Sequence, residues 1–342
     1  MFDEKYIERY SRQILLNTIG LEGQEKISNA KIAVAGVGGL GSMVASLLAR
    51  IGFGEIHLID RDVVSLSDLH RQILYDEDDL GLPKVIAAET KLKKINSTIN
   101  IYSHPISVNN LPFIEKLIQK VDVIVDGLDN MRGRYNLNYL AVKNKKPYIF
   151  AAAIENYGNI STIIPPDSPC LYEFYGKYSQ DENLPSCSTN GVNPAVVTTI
   201  ASLEVNEAIR IVTQKKPNFF KKLGLLDLNL SSIESIEIKK DPNCDVCNLR
   251  FKPLSEPKTE ISCDKYGFST VFINNYIHEL DLEQVITNKK IKPLRKNGKF
   301  VSGTIGDVYF TLYFNGYAVF QFKKYDEELA KRAEILYEQI VG

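Results

Sequence analysis

Gly36, Gly38, Gly39 and Gly41 close a short apolar run and open an apolar, alanine-rich segment ending at Arg50. At G-x-G-x-x-G spacing a backbone can turn tightly and approach a phosphate, while the following helix offers unpaired N–H donors and a positive dipole end. The pattern alone fits many nucleotide and dinucleotide sites. Asp60, 19 residues beyond Gly41, stands where an acid reaches a ribose hydroxyl. Three cations, Arg12, Arg71 and Lys84, are available to neutralise phosphate, and Asp129 is a carboxylate suited to a hard cation such as magnesium. Attack of a carboxylate on an α-phosphate brings two anions together, so it needs such charge neutralisation and positioning. No G-x-x-x-x-G-K-[ST] sequence is present, which leaves the Gly36–Gly41 turn as the nucleotide cradle.

The elements that must hold these residues alternate. Lys31–Ala35, Glu55–Asp60, Ile99–Ser103, Val121–Asp126 and Pro147–Ala153 read as strands separated by helical stretches, which predicts βαβ units and a mainly parallel sheet. Asp60 and Asp129 then fall past strand ends, where open α/β sheets bind ligands. His57 inside the second strand reads as a packed core residue. Pro83 opens a helix with Lys84 in its first turn, a poor place for a cation unless an anion lies nearby. Ile160–Ile164 reads as a further strand, Pro165–Gly191 as a long loop, Pro194–Thr213 as a helix and Leu223–Lys239 as one or two strands. Residues 251–258, with two prolines, read as a linker. Beyond it, Asn315-Gly316 between alternating apolar runs predicts a hairpin, and Leu329, Ala333, Leu336 and Ile340 share one face of a terminal helix. The expected organisation is an α/β, Rossmann-like domain over 1–250 and a small α+β module over 259–342.

Bulk properties narrow the classes. A formal net charge of −1 over 342 residues argues against a nucleic-acid or membrane footprint. Ile32–Ala49 is uncharged, but its glycines favour strand, turn and helix over a membrane span. The first residues show no signal-peptide pattern, which makes the cytoplasm the expected compartment and disulfides unexpected for the five cysteines.

Arg9-Tyr-Ser-Arg-Gln13, Gly36-Val-Gly-Gly-Leu-Gly41, Leu58-Ile-Asp-Arg-Asp62, Ser67-Asp-Leu-His-Arg-Gln72, Pro83-Lys84, Asp126-Gly-Leu-Asp-Asn130 and Pro242-Asn-Cys-Asp-Val-Cys247 together resemble the HesA/MoeB/ThiF family of adenylyltransferases, relatives of ubiquitin-activating enzymes. The resemblance covers about residues 6–250. It implies ATP-dependent adenylation of the C-terminal Gly-Gly carboxylate of a small ubiquitin-like or sulfur-carrier protein, with magnesium and release of pyrophosphate. By that resemblance Gly36, Gly38, Gly39, Gly41, Asp60, Asp62, Asp68, Arg71, Gln72, Lys84, Asp129 and Asn130 face the nucleotide. Arg71 and Lys84 match phosphate contacts, Asp129 the metal-linked acid, and Arg12 an arginine reaching into a partner protomer's site, which implies a homodimer.

Three positions depart from the family pattern. Asp68 stands where asparagine is usual, and a carboxylate there repels phosphate unless Arg71 or a metal offsets it. Of the two C-x-x-C pairs that hold structural zinc in the family, Cys244 and Cys247 are present, but the first pair reads Cys170 and Glu173; a carboxylate can serve as the fourth ligand. Cys187 matches a loop cysteine that in some members takes the acyl group as a thioester or acyl-disulfide. Two other classes fit parts of the pattern: a nicotinamide or flavin oxidoreductase, which would leave Arg71 and Lys84 idle, and a non-catalytic nucleotide-binding scaffold, which Asp68 favours.

Overall fold

β1 (Lys31–Ala35) is the middle one of the five parallel strands in an eight-stranded sheet and buries four of its five residues. It pairs in parallel with β2 (Glu55–Ile59) on one side and with β4 (Val123–Asp126) on the other. β3 (Asn100–His104) continues the parallel set beyond β2, and β5 (Tyr148–Ile154) continues it beyond β4. From there β6 (Tyr157–Ile163), β7 (Lys222–Asp227) and β8 (Ser232–Glu237) add on antiparallel, giving the order β3-β2-β1-β4-β5-β6-β7-β8. In this computed structural model residues 3–177, 190–263, 268–276, 279–289 and 293–342 are described.

The helices of this part are α1 (Glu4–Ile14), α2 (Gly20–Asn29), α3 (Gly39–Ile51), α4 (Lys84–Ile95), α5 (Leu111–Ile118), α6 (Met131–Lys143), α7 (Leu171–Tyr175) and α8 (Pro194–Val212). Alternation along the strands sends Ile32, Val34, Ile56 and Leu58 to one face, beneath Val44, Leu48, Val85, Leu92 and Ile200 of α3, α4 and α8. Ala33, Ala35, Ile59 and Ile124 point the other way, under Ile114, Leu117, Leu137 and Leu140 of α5 and α6. A sheet covered on both faces must read as continuous apolar runs, and these strands do. The strand order reverses at β1, so a crevice opens between the carboxyl ends of β1 and β4.

The stretch read as a loop from Pro165 to Gly191 contains a short helix, α7. Five residues carry too little periodicity to be recognised; the helix is set instead by Cys170 at its N-cap and Glu173 closing a capping box onto the Cys170 N–H.

After residue 258 a second, antiparallel sheet takes the order β11-β12-β13-β14-β10-β9, from β9 (Thr259–Cys263), β10 (Ser269–Ile273), β11 (Arg295–Asn297), β12 (Phe300–Ile305), β13 (Val308–Tyr313) and β14 (Ala318–Phe322). The Asn315-Gly316 hairpin joins β13 to β14, with Gly316 at φ 79°, the left-handed conformation its type favours. Val271, Phe310, Leu312 and Phe320 pack on α9 (Leu282–Asn288) and α10 (Leu329–Val341). The opposite face, carrying Phe272, Phe300, Tyr313 and Val319, is also buried, because it lies against Val63, Leu82 and Ile86 of the first part.

Candidate nucleotide site

The glycine turn is built by two backbone collisions narrowly avoided. Gly36 has φ 84°, and a Cβ there would stand 2.5 Å from the Gly127 carbonyl. A Cβ at Gly41 would stand 1.8 Å from the Gly36 carbonyl, so α3 can start where it does only without side chains at both positions. Gly36 N–H donates to Ile59 and Gly127 N–H to Ala35, which locks the turn across the crevice. Gly38 differs. A Cβ there would find no atom nearer than Gln72 Nε2 at 3.8 Å, so the protein itself leaves that position open. A cradle that a side chain would fill, at the N-cap of α3, fits a phosphate.

Around this opening stand the expected residues. Asp60 accepts the Val37 N–H at 2.7 Å and the Asp62 N–H at 2.8 Å, tying the strand-end acid to the turn. Arg71 lies beside Gly39, its Cδ 3.9 Å from where a Cβ of Gly39 would be. It is held by the Ser67 carbonyl at 2.7 Å and by Asp68 at 3.4 Å. Gln72 donates to Asp68 at 2.7 Å, while its Oε1 is buried with no partner among the described residues.

Lys84 is buried and meets Asp62 at 2.6 Å and Asp68 at 3.3 Å, which supplies the anion its place in a helix's first turn demanded. Burial alone would strip its charge; Asp62, Asp68 and Asp60 outweigh burial and hold its pKa well above the ordinary value. Burial likewise opposes ionisation of Asp68, but Lys84, the Ser65 N–H and hydroxyl, and Arg71 keep its pKa low. Asp68 is therefore a charge-matched member of the cleft.

On the far side of the crevice Asn130 caps α6 through the Gly133 N–H and donates to Asp129 at 3.2 Å. Asp129 is exposed, open to a cation. Its loop is held from below by a buried set less visible in the sequence. Asp126 accepts from Tyr148 Oη at 2.5 Å, from the Leu128 N–H at 2.9 Å and from Arg134 Nε at 3.2 Å. Arg134 also donates to the carbonyls of Leu128 and Ala151. Asp126 and Arg134 stand within strand and helix patterns, and the one sign of a special role was a pair of charges at positions that must be buried. Arg12, on α1, is exposed and forms no ion pair among the described residues; Cys187 lies outside them.

Residues 10–246 match the ThiF family. The chain belongs to that family. The adenylyltransferase and sulfurtransferase MOCS3 of Anopheles gambiae is 34% identical over 243 residues, covering 71% of this chain and 55% of that protein. The sulfur carrier protein ThiS adenylyltransferase of Bacillus subtilis is 33% identical over 286 residues, 80% of this chain and 82% of that one. Among solved structures, E. coli MccB with ATP superposes with a TM-score of 0.62 at 25% identity, over 70% of this chain and 74% of MccB. The chain spans about half the length of the MOCS3 proteins it matches.

A second constellation of this ThiF-family chain lies on the α5–α6 face. Cys170, Glu173, Cys244 and Cys247 bring one ligand atom each within 4.8 Å of one another. Cys170 Sγ and Cys244 Sγ are 3.7 Å apart, close to the roughly 3.8 Å edge of a tetrahedron with 2.3 Å zinc–sulfur bonds. Interaction among the three sulfurs lowers the Cys244 pKa and raises those of Cys170 and Cys247. The donor set fits zinc, with Glu173 completing it. The fourth cysteine of this region's family pattern is thus replaced by a carboxylate that also holds the Cys170 and Asp241 N–H groups. No helix among the described residues is long and apolar enough to cross a membrane.

Proposed function

We propose that this chain uses ATP and magnesium to adenylate the C-terminal Gly-Gly carboxylate of a small ubiquitin-like or sulfur-carrier protein. The observation that carries this reading is the glycine turn left open at Gly38, with Arg71, Lys84 and Asp129 around it, in a ThiF-family chain. The carboxylate oxygen attacks the α-phosphorus, the bond from that phosphorus to the bridging oxygen breaks, and pyrophosphate leaves. Asp60 would receive the ribose, Arg71 and Lys84 would offset phosphate charge, and Asp129 would hold magnesium, which would neutralise further charge on the phosphates. Asp62, Gln72 and Asn130 orient these groups through the bonds described above. Residues 1–250 form the adenylation domain, 251–258 connect it, and 259–342 form a module packed on it.

The protein works as a cytoplasmic homodimer in this reading, Arg12 entering the partner's site. Exposed Leu15, Leu16 and Leu21 beside α1 and α2 supply apolar surface for that contact. Zinc at the Cys170–Glu173–Cys244–Cys247 cluster would be structural, and the Cys187 thiol would take the acyl group from the adenylate as a thioester, the acyl–phosphate bond breaking and AMP and the thiol proton leaving.

The test is exchange of labelled pyrophosphate into ATP, with magnesium and each small Gly-Gly-ending protein of the same source. Exchange dependent on one carrier's free terminus is expected. Asp129→Ala should lower it by about a hundredfold or more without changing the melting temperature. No exchange with any carrier, or wild-type exchange by Asp129→Ala, sinks the reading or the metal role respectively.

A further inference from the structure

The acids and the lysine of the cleft sit on two short arms. Asp60 to Val64 leave β2, and Gly81 to Lys84 lead into α4. The arms are laced together by Lys84 N–H to the Asp62 carbonyl at 3.0 Å, Val64 N–H to Leu82 at 2.8 Å and Gly81 N–H to Val64 at 2.9 Å. Asp60 and Asp62 turn toward the glycine turn and Lys84. Arg61, between them, turns the opposite way.

Its side-chain partners among the described residues all belong to the chain beyond residue 250. Arg61 Nη1 donates to Glu260 at 2.8 Å and Glu256 at 3.4 Å, and the guanidinium stacks 4.3 Å above the Phe272 ring. The neighbouring Val63 is 1% exposed, enclosed by the aromatic face of the second sheet. The other arm is gripped too: a Cβ at Gly81 would lie 2.3 Å from the Tyr309 hydroxyl, which reaches the Gly81 carbonyl at 3.5 Å. A charged, largely enclosed guanidinium between two carboxylates and a ring is a rigid attachment, since planar arginine loses little freedom per bond formed.

We propose that Arg61 is a positioning residue through which the C-terminal module sets Asp60, Asp62 and Lys84 against the glycine turn, making the module part of the nucleotide site. This rests on the adenylation reading for the identity of the nucleotide. Without the Arg61 attachment the two arms keep their mutual bonds but lose the outer wall that fixes their distance from Gly38. Looser arms hold ribose and phosphate less firmly, which is a loss of ground-state binding.

The full chain is compared with Arg61→Met, which keeps an apolar stem over Phe272, and with the charge swap Arg61→Glu/Glu260→Arg. MgATP binding is followed by calorimetry and carrier-dependent exchange by steady-state kinetics, with thermal melts to check folding. Arg61→Met should weaken ATP by about tenfold while kcat and the KM for carrier stay within about twofold, the pattern of lost ground-state binding. The charge swap, made together with Glu256→Gln so that the new acid meets no second carboxylate, should recover most of the affinity. ATP affinity within about twofold of wild type in folded Arg61→Met, or no recovery in the swap, overturns the proposal. Should Arg61→Met fail to fold, Glu260→Gln carries the same expectation and the same refutation. Wild-type protein that binds MgATP but adenylates no carrier would sink the adenylation reading, while the Arg61 test still stands on binding.

Discussion

Glu204 illustrates how much a single residue in this fold is asked to bear. It lies on α8, fully buried, and neither carboxylate oxygen has a hydrogen-bond partner among the described residues. Burial, reinforced by the nearby Asp126 charge, raises its pKa well above the ordinary carboxylate value, against a smaller opposing pull from Arg134. An acid with a raised folded pKa contributes full stability below its unfolded pKa, near 4.5, and loses it as pH rises toward the folded value. Glu204→Gln should therefore be more stable than wild type at pH 7, by about 1 kcal/mol or more of unfolding free energy, with the gap closing near pH 4. A gap that does not change with pH would show that the carboxyl is ionised and paired. The sequence hid this residue, because an acid inside a strongly apolar helix pattern is ordinarily read as its solvent edge. Lys84 was more legible: a cation in a helix's first turn conflicts with the dipole, and that conflict pointed to Asp62 and Asp68.

At the scale of elements, the cysteine–glutamate cluster is a staple. It joins the start of α7 to the turn around residues 241–247, and Glu173 Oε2 takes a hydrogen bond from Cys247 Sγ at 3.3 Å. Leu171 and Val246 are fully buried in the α5–α6 core, and an ion bound by the four ligands would add to that packing. Elemental analysis should find one zinc per chain. Zinc at a hundred times its Kd stabilises by about 2.7 kcal/mol, so a strong chelator should lower the melting temperature by roughly 5 to 10 degrees. Cys244→Ser protein should contain no zinc and melt there without chelator; a zinc-free wild type with an unchanged melt under chelation would show that the thiols pack without metal. Spacing made Cys244 and Cys247 visible, and the residue three beyond Cys170 named Glu173. The five-residue α7 that presents them could not be read from periodicity.

Across the whole molecule, the seam between the two sheets is where the chain's ends are brought together. Besides Arg61 it contains a stacked histidine pair. His57 Nε2 lies 2.8 Å from Glu55, so its Nδ1 accepts from His104 Nε2 at 3.0 Å, an assignment made from the bonding pattern. Lys299, from the C-terminal module, reaches Ser103 at 2.9 Å and Glu89 at 3.5 Å on the same edge. Burial, then His57 and Lys299, push the His104 pKa down from 6.5 to about 4, with Glu89 pulling the other way. A base with a depressed folded pKa leaves stability intact above 6.5 and drains it as pH falls through about 4, worth roughly 3 kcal/mol at full effect. Acid should thus loosen this seam between pH 6.5 and 4. Amide exchange in β11–β12 should rise over that window in wild type and be flat in His104→Gln. Equal exchange in both proteins would move the acid-sensitive group elsewhere.

Local spacing and period determined a good deal of this protein without any tertiary information. The glycine turn, the strand-end Asp60, the parallel strands and the hairpin at Asn315-Gly316 all follow from short-range constraints: backbone sterics, apolar alternation and turn chemistry act within a few residues. Tertiary structure decided what depends on contacts between distant segments. Asp68, by sequence a repulsive carboxylate, became part of a balanced cluster once Lys84 folded onto it. Arg61, unremarked between Asp60 and Asp62, found Glu256, Glu260 and Phe272 about two hundred residues away. Burial and charge pairing belong to the folded surface as a whole, and no stretch of chain carries them alone.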